Sequence, residues 1–115
     1  MSVTLVHVFE VPEGREQEFF DGWRALTEAL NSAPGYHGTR LLRRTADQVG
    51  RFAFVNIASW ESKDAWQAGV NTDEFRALLP AMKDFVGVPG IYEVAYEEGT
   101  VSFPSSPGTP VSADT

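Results

Sequence analysis

The chain has 115 residues, no cysteine, and nine Lys plus Arg against sixteen Asp plus Glu, a net charge of −7. That length fits one domain able to bury roughly 60–68 % of its unfolded surface, and the acidic balance argues against nucleic acid or an anionic membrane as partner. Without cysteine there is no disulfide framework or thiolate chemistry, and His7 and His37 lie too far apart for metal-ligand spacing.

No apolar run approaches a membrane span and the first residues lack a basic n-region, so the expected location is cytoplasmic. Residues 3–11 alternate, with Val3, Leu5, His7, Phe9 and Val11 on one face and Thr4, Val6, Val8 and Glu10 on the other, which predicts a strand. Pro12-Glu13-Gly14 closes it and opens a helix to about residue 32. Phe19, Phe20, Trp23, Leu26, Thr27 and Leu30 recur there at helical spacing, a stripe that reads as core. Glu13, Glu16 and Glu18 sit near the positive end of its dipole. Ala33-Pro34-Gly35 ends the helix. Residues 36–44 predict a second strand, in which Arg40, Arg43 and Arg44 read as the charges that protect a sheet edge.

Residues 51–60 predict the central strand. Phe52, Phe54, Asn56, Ala58 and Trp60 share one face; Ala53, Val55 and Ile57 share the other. Asn56 is the anomaly, because an amide inside an apolar run must find partners or cost roughly 1–3 kcal/mol. A polar group among aromatic rings such as Trp60 and Trp66 is also what a small-molecule pocket needs. Ser62 is placed to cap a second helix, interrupted at Gly69-Val70-Asn71. Thr72 then caps a segment carrying Phe75, Arg76, Leu78 and Leu79, and Pro80 allows at most a further kinked turn. Val88-Pro89-Gly90 predicts a turn. Residues 91–97 predict the last strand, with Tyr92, Val94 and Tyr96 on one face and Ile91, Glu93 and Ala95 on the other. A domain over 1–98 and a flexible tail over 99–115, with three prolines, complete the division.

The order strand, helix, strand, strand, helix, strand is the split βαβ, or ferredoxin-like, α+β arrangement: a four-stranded antiparallel sheet with helices on one face. The other face would then expose Val6, Val8, Val55 and Ile57. A twofold partner sheet is the simplest cover, so a homodimer of the dimeric α/β barrel type is expected.

Pro34-Gly35-Tyr36-His37-Gly38-Thr39-Arg40-Leu41-Leu42-Arg43, followed by Trp60-Glu61-Ser62-Lys63-Asp64-Ala65-Trp66, resembles the antibiotic biosynthesis monooxygenase superfamily over roughly residues 3–97. The resemblance is closest to its cofactor-free, quinone-forming monooxygenases of aromatic polyketide pathways. There an Asn four residues before the Trp lies in the pocket, matching Asn56 and Trp60, and a later Arg is best matched by Arg76. Their pocket Tyr is replaced here by Trp66. In the heme-degrading branch a catalytic Asn stands where this chain has His7. The axial His of that branch falls where this chain has Gly69, Val70 and Asn71, so that ligand is missing.

The resemblance implies oxidation of a phenolic or anthrone-type polycycle to a quinone by dioxygen, with no prosthetic group and no metal. The residues suit it. Trp66, Phe52, Phe54 and Phe75 are candidates to bind a flat aromatic substrate. Asn56 can donate to the developing enolate oxygen, Trp60 can wall the site, Arg76 can hold the anion, and His7 can accept the proton. A polyketide cyclase-like or atypical heme-handling enzyme is the alternative activity. A non-catalytic ligand-binding dimer is the alternative from another class.

Overall fold

A central strand with two apolar faces needs a neighbour on each side, and the chain supplies both. The computed structural model describes residues 2–100. It contains β1 (Val3–Glu10), α1 (Glu16–Ala29), β2 (Tyr36–Arg43), β3 (Phe54–Trp60), α2 (Lys63–Val70), α3 (Asp73–Leu78) and β4 (Val86–Tyr92), with a short 3₁₀ turn at Leu79–Met82. The four strands form one antiparallel sheet in the order β2-β3-β1-β4. This is the ferredoxin-like arrangement, with β2 at an edge as its arginines predict. Among the described residues no helix is long and apolar enough to cross a membrane.

The helix ends follow from their caps. Ser62 Oγ accepts from Ala65 N at 3.0 Å to start α2, and Thr72 Oγ1 accepts from Phe75 N at 3.1 Å to start α3. α1 begins later than Pro12-Glu13-Gly14 suggests, because Gly14 turns the chain at φ +90°. Its first turn is tied down instead by Arg15, which bridges Glu18 at 2.7 Å and Asp84 at 3.2 Å. Gly35, at φ +83°, is needed for close approach: a Cβ there would stand 2.7 Å from the Ala65 Cβ.

Inner-face side chains pack against the helices in two clusters. Phe9, Phe19, Phe54 and Phe85 form one, with Phe19 fully buried and stacked on Phe54 at 4.6 Å. Leu5, Ala58 and Trp60 form the other.

The last strand differs from expectation. Val88-Pro89-Gly90 is strand, paired to β1 as Val8↔Val88, His7↔Pro89 and Val6↔Gly90. Residues 93–97 lie beyond it. Val88-Pro89-Gly90 reads as a turn in isolation, yet an edge strand tolerates the donor that Pro89 lacks. Glycine is required at position 87, where a Cβ would come within 2.6 Å of His7 Nε2 and 2.8 Å of Phe9 Cε1. The third strand also starts at Phe54 rather than residue 51. The tail after residue 100 lies outside the described residues.

On the outer face one row crosses the whole sheet: Leu42, Val55, Val8 and Val88. Leu42 is 43 % exposed and Val88 56 % exposed, so the apolar face opposite the helices is open in the single chain.

Candidate active site

Between the inner face of the sheet and the helices lies a cavity of about 510 Å³, a size that holds a small organic ligand. β1 and β3 supply its floor through Leu5, His7 and Asn56; α1 supplies Trp23, Leu26 and Thr27. Trp66, Phe75 and Leu79 close it from the α2–α3 side. The wall is mostly apolar and aromatic, with a few polar side chains set into it.

Asn56 is the buried polar residue of the sheet, and its amide is held from one side. Thr39 on β2 donates its hydroxyl to Asn56 Oδ1. The acceptor end is thereby satisfied, while Nδ2 has no partner among the described residues and remains available as a donor to the cavity. His7 stands directly opposite Asn56 on β1. Its ring stacks on Phe9 at 4.2 Å, with an interplanar angle of 27°. Burial pushes the His7 imidazole down to about 4, because the charged form loses its hydration. At neutral pH it is therefore an uncharged ring, able to accept through one nitrogen and donate through the other. The site places an amide donor and a neutral imidazole side by side in an apolar enclosure.

Four predicted residues meet at this cavity: His7, Asn56, Trp66 and Phe75. The other four stand elsewhere. Trp60 shares the face of Asn56 but lies four residues along the strand, about 13 Å away. It is fully buried against Leu5, Ala58 and Tyr36, with the Tyr36 ring at 5.1 Å, and Gly69 of α2 leaves no room for a Cβ above it. Its Nε1 and the Tyr36 hydroxyl are buried without partners among the described residues. Trp60 is a packing residue. Phe54 belongs to the phenylalanine cluster instead, and Phe52 precedes the strand with Arg51 over its ring at 5.2 Å. Arg76 is exposed: Phe75 faces the cavity, and the next helical residue is rotated about 100° away.

The α1 stripe also divides. Phe19 is core, whereas Trp23, Leu26, Thr27 and Leu30 line the cavity and Phe20 is 37 % exposed. Periodicity marks the face of a helix but does not separate core from cavity wall. Gly87 and Pro89 line the cavity because β4 pairs with β1 over a stretch that reads as a turn in sequence, and Thr39 reaches Asn56 only through the β2–β3 pairing.

Residues 2–81 match the antibiotic biosynthesis monooxygenase family. The chain belongs to that family. Its fold agrees with SnoaB, described as a cofactor-independent oxygenase from Streptomyces nogalater. The TM-score is 0.73 at 24 % identity, covering 84 % of this chain and 95 % of that one. A heme-degrading protein from Mycobacterium tuberculosis aligns with a TM-score of 0.63 at 26 % identity, covering 86 % of this chain and 100 % of its own. A mycobilin-producing heme oxygenase from the same species is 31 % identical over 71 residues, 62 % of this chain and 65 % of the relative. The match thus spans just under two thirds of that relative's length.

The second comparison raises the question of heme, and the residues answer it in part. No imidazole stands on the α2 wall. Gly69 is packed against Trp60, where a Cβ would sit 2.7 Å from a ring carbon, and Asn71 Nδ2 donates to Gln67 O at 2.7 Å. That wall does not fit a heme ligated from α2. Among the described residues His7 is the one cavity-lining imidazole, and no three His, Asp or Glu side chains gather to hold a metal ion.

Proposed function

We propose that this family member is a cofactor-independent monooxygenase that oxidises a phenolic or anthrone-type polycycle to a quinone with dioxygen. One observation carries the reading: Asn56, fixed through its oxygen by Thr39, keeps its NH₂ for the cavity next to the neutral ring of His7. The likeness of fold to SnoaB supports it.

The chemistry asks little of the protein beyond binding an electron-rich ring system and favouring its anion. Trp66, Trp23 and Phe75 offer flat apolar surface to such a ring. Asn56 Nδ2 donates to the oxygen on which charge develops; one preorganised donor is typically worth about 10²–10³ in rate. His7 accepts a hydrogen bond from the substrate hydroxyl. Its burial makes it a weak base alone, and an adjacent anion favours its protonated form, so the proton and the negative charge stabilise each other. The substrate anion passes one electron to dioxygen, and the resulting radical and superoxide combine to a hydroperoxide. Loss of water then leaves the carbonyl, so each CH₂ plus O₂ gives C=O plus H₂O. Arg76, exposed on α3, has no part in this scheme.

The working unit is a homodimer, in which the open row Leu42, Val55, Val8 and Val88 meets its copy. The test of function is dioxygen uptake with an anthrone, with product mass read in parallel. Uptake of one O₂ per substrate and a gain of 14 mass units (one oxygen gained, two hydrogens lost) is expected; a loss of water without uptake would point to cyclisation.

The 31 % identity to a heme oxygenase favours heme handling as a second reading. In that case His7 is the available ligand. Hemin titration followed by its Soret band distinguishes the two: a shifted band that His7→Ala abolishes supports heme, and a spectrum of free hemin supports the first reading.

A further inference from the structure

Besides its tryptophans, the cavity has four polar side chains, and they divide between its two layers. His7 and Asn56 stand on the sheet. Thr27 stands on α1, and Asn71 follows the last residue of α2. Asn71 and Leu79 are exposed as well as cavity-lining, so this end of the cavity is its rim.

The two amides offer opposite chemistry. Asn56 Oδ1 is taken by Thr39, which leaves an NH₂ donor at the floor. Asn71 is held the other way round. Its backbone N–H donates to Ala68 O at 3.3 Å and its Nδ2 to Gln67 O at 2.7 Å, both carbonyls of the end of α2. A carbonyl only accepts, so the atom facing Gln67 O is the nitrogen. Asn71 Oδ1 then has no partner among the described residues. The cavity has a donor at its floor and an acceptor at its rim, and rings such as Trp66 and Phe75 line it as well.

We propose that Asn71 selects a polycycle carrying a neutral hydroxyl at the end remote from the reacting oxygen. The proposal rests on the function proposed above and adds the polarity of its substrate, with the carbonyl inward and the hydroxyl outward. The hydroxyl donates to Asn71 Oδ1 while the oxygen that gains charge accepts from Asn56 Nδ2. Turned end for end, the molecule would bring its carbonyl against Asn71 Oδ1, acceptor against acceptor, so the two amides also fix which ring enters first. A carboxylate at the rim would meet the same acceptor oxygen. It would also meet Asp73 and Glu74, two and three residues on, with Arg76 the one cation of that helix. Exposure at the rim keeps the gain modest, because water competes for Oδ1.

The test measures binding without turnover, by quenching of tryptophan fluorescence. The probes are anthraquinones bearing a hydroxyl, a methoxy or a carboxylate group at the same outer-ring carbon, at about pH 6 so that the hydroxyl is neutral. The hydroxy compound should bind roughly three- to tenfold tighter than the methoxy compound, and the carboxylate should bind weakest. In Asn71→Leu that preference should shrink to within about twofold. Asn71→Gly repeats the comparison with a residue that suits a helix end, so misfolding of the leucine variant does not remove the test. Equal binding of the hydroxy and methoxy compounds by wild type, tightest binding of the carboxylate, or a preference that survives substitution would overturn the assignment. Selective binding by a protein that consumes no dioxygen with the matching hydroxyanthrone would support the role of Asn71 and overturn the monooxygenase reading instead.

Discussion

Thr39→Val isolates the hydrogen bond that aims Asn56. Valine keeps the β-branched shape of threonine and exchanges the hydroxyl for a methyl, so position 39 keeps its place opposite Ala58 in the sheet and loses its donor. What changes is Asn56 Oδ1, which loses its donor inside a buried site. An unpaired buried acceptor costs about 1–3 kcal/mol, and for a domain of this size each kcal/mol lowers Tm by roughly 4–8 °C. The amide then has no reason to keep its NH₂ turned to the cavity. Since a preorganised donor is worth about 10²–10³ in rate and Thr39→Val removes its orientation rather than the donor, kcat should fall by roughly tenfold, with KM nearly constant. Thr39→Ser keeps the hydroxyl and should restore both Tm and kcat. The assays are calorimetry and dioxygen consumption with an anthrone, run on wild type and both variants. Unchanged Tm and kcat in Thr39→Val would refute the claim that Thr39 holds Asn56.

Three further outcomes are expected. His7 has a folded-state pKa lowered to about 4 by burial, so the folded protein binds fewer protons than the unfolded chain between pH 4 and 6.5. Stability should rise with pH across that window, be fully present above it and be lost as pH falls through it; His7→Leu should flatten this part of the profile of Tm against pH. Gly87→Ala forces a methyl within 2.6 Å of His7 Nε2, so it should cost about 1–3 kcal/mol by denaturant titration and reduce turnover by displacing the ring. Val8→Asp with Val55→Asp puts charges into the open apolar row; sedimentation velocity is expected to show a dimer for the wild type and monomer or unfolded chain for the variant.

The architecture was legible because its signals are local and agree with each other. Alternation marked β1, a Ser and a Thr marked the starts of α2 and α3, and arginines marked the edge strand. β4 was misplaced because glycine and proline speak for a turn in isolation. Their reasons for being in a strand, the rings of His7 and Phe9 pressed against Gly87, come from a segment some eighty residues away. The site was half legible. An amide in an apolar strand is conspicuous, and His7 could be set opposite it once the strands were ordered. Trp60 was not separable from a wall residue, since an inward tryptophan has the same pattern whether a cavity or Gly69 lies above it. Arg76 matched a family position, but the turn of α3 sends it to solvent.

Dioxygen consumption by Asn56→Ala tests the central claim most directly. Asn56 is the donor whose Nδ2 has no other partner among the described residues, so its removal takes away stabilisation that grows as charge develops on the substrate oxygen. With an anthrone as substrate and folding verified by circular dichroism, turnover should fall by about one to three orders of magnitude while substrate binding changes little. A folded Asn56→Ala protein that consumes dioxygen at the wild-type rate would contradict the account and leave Asn56 as a structural partner of Thr39.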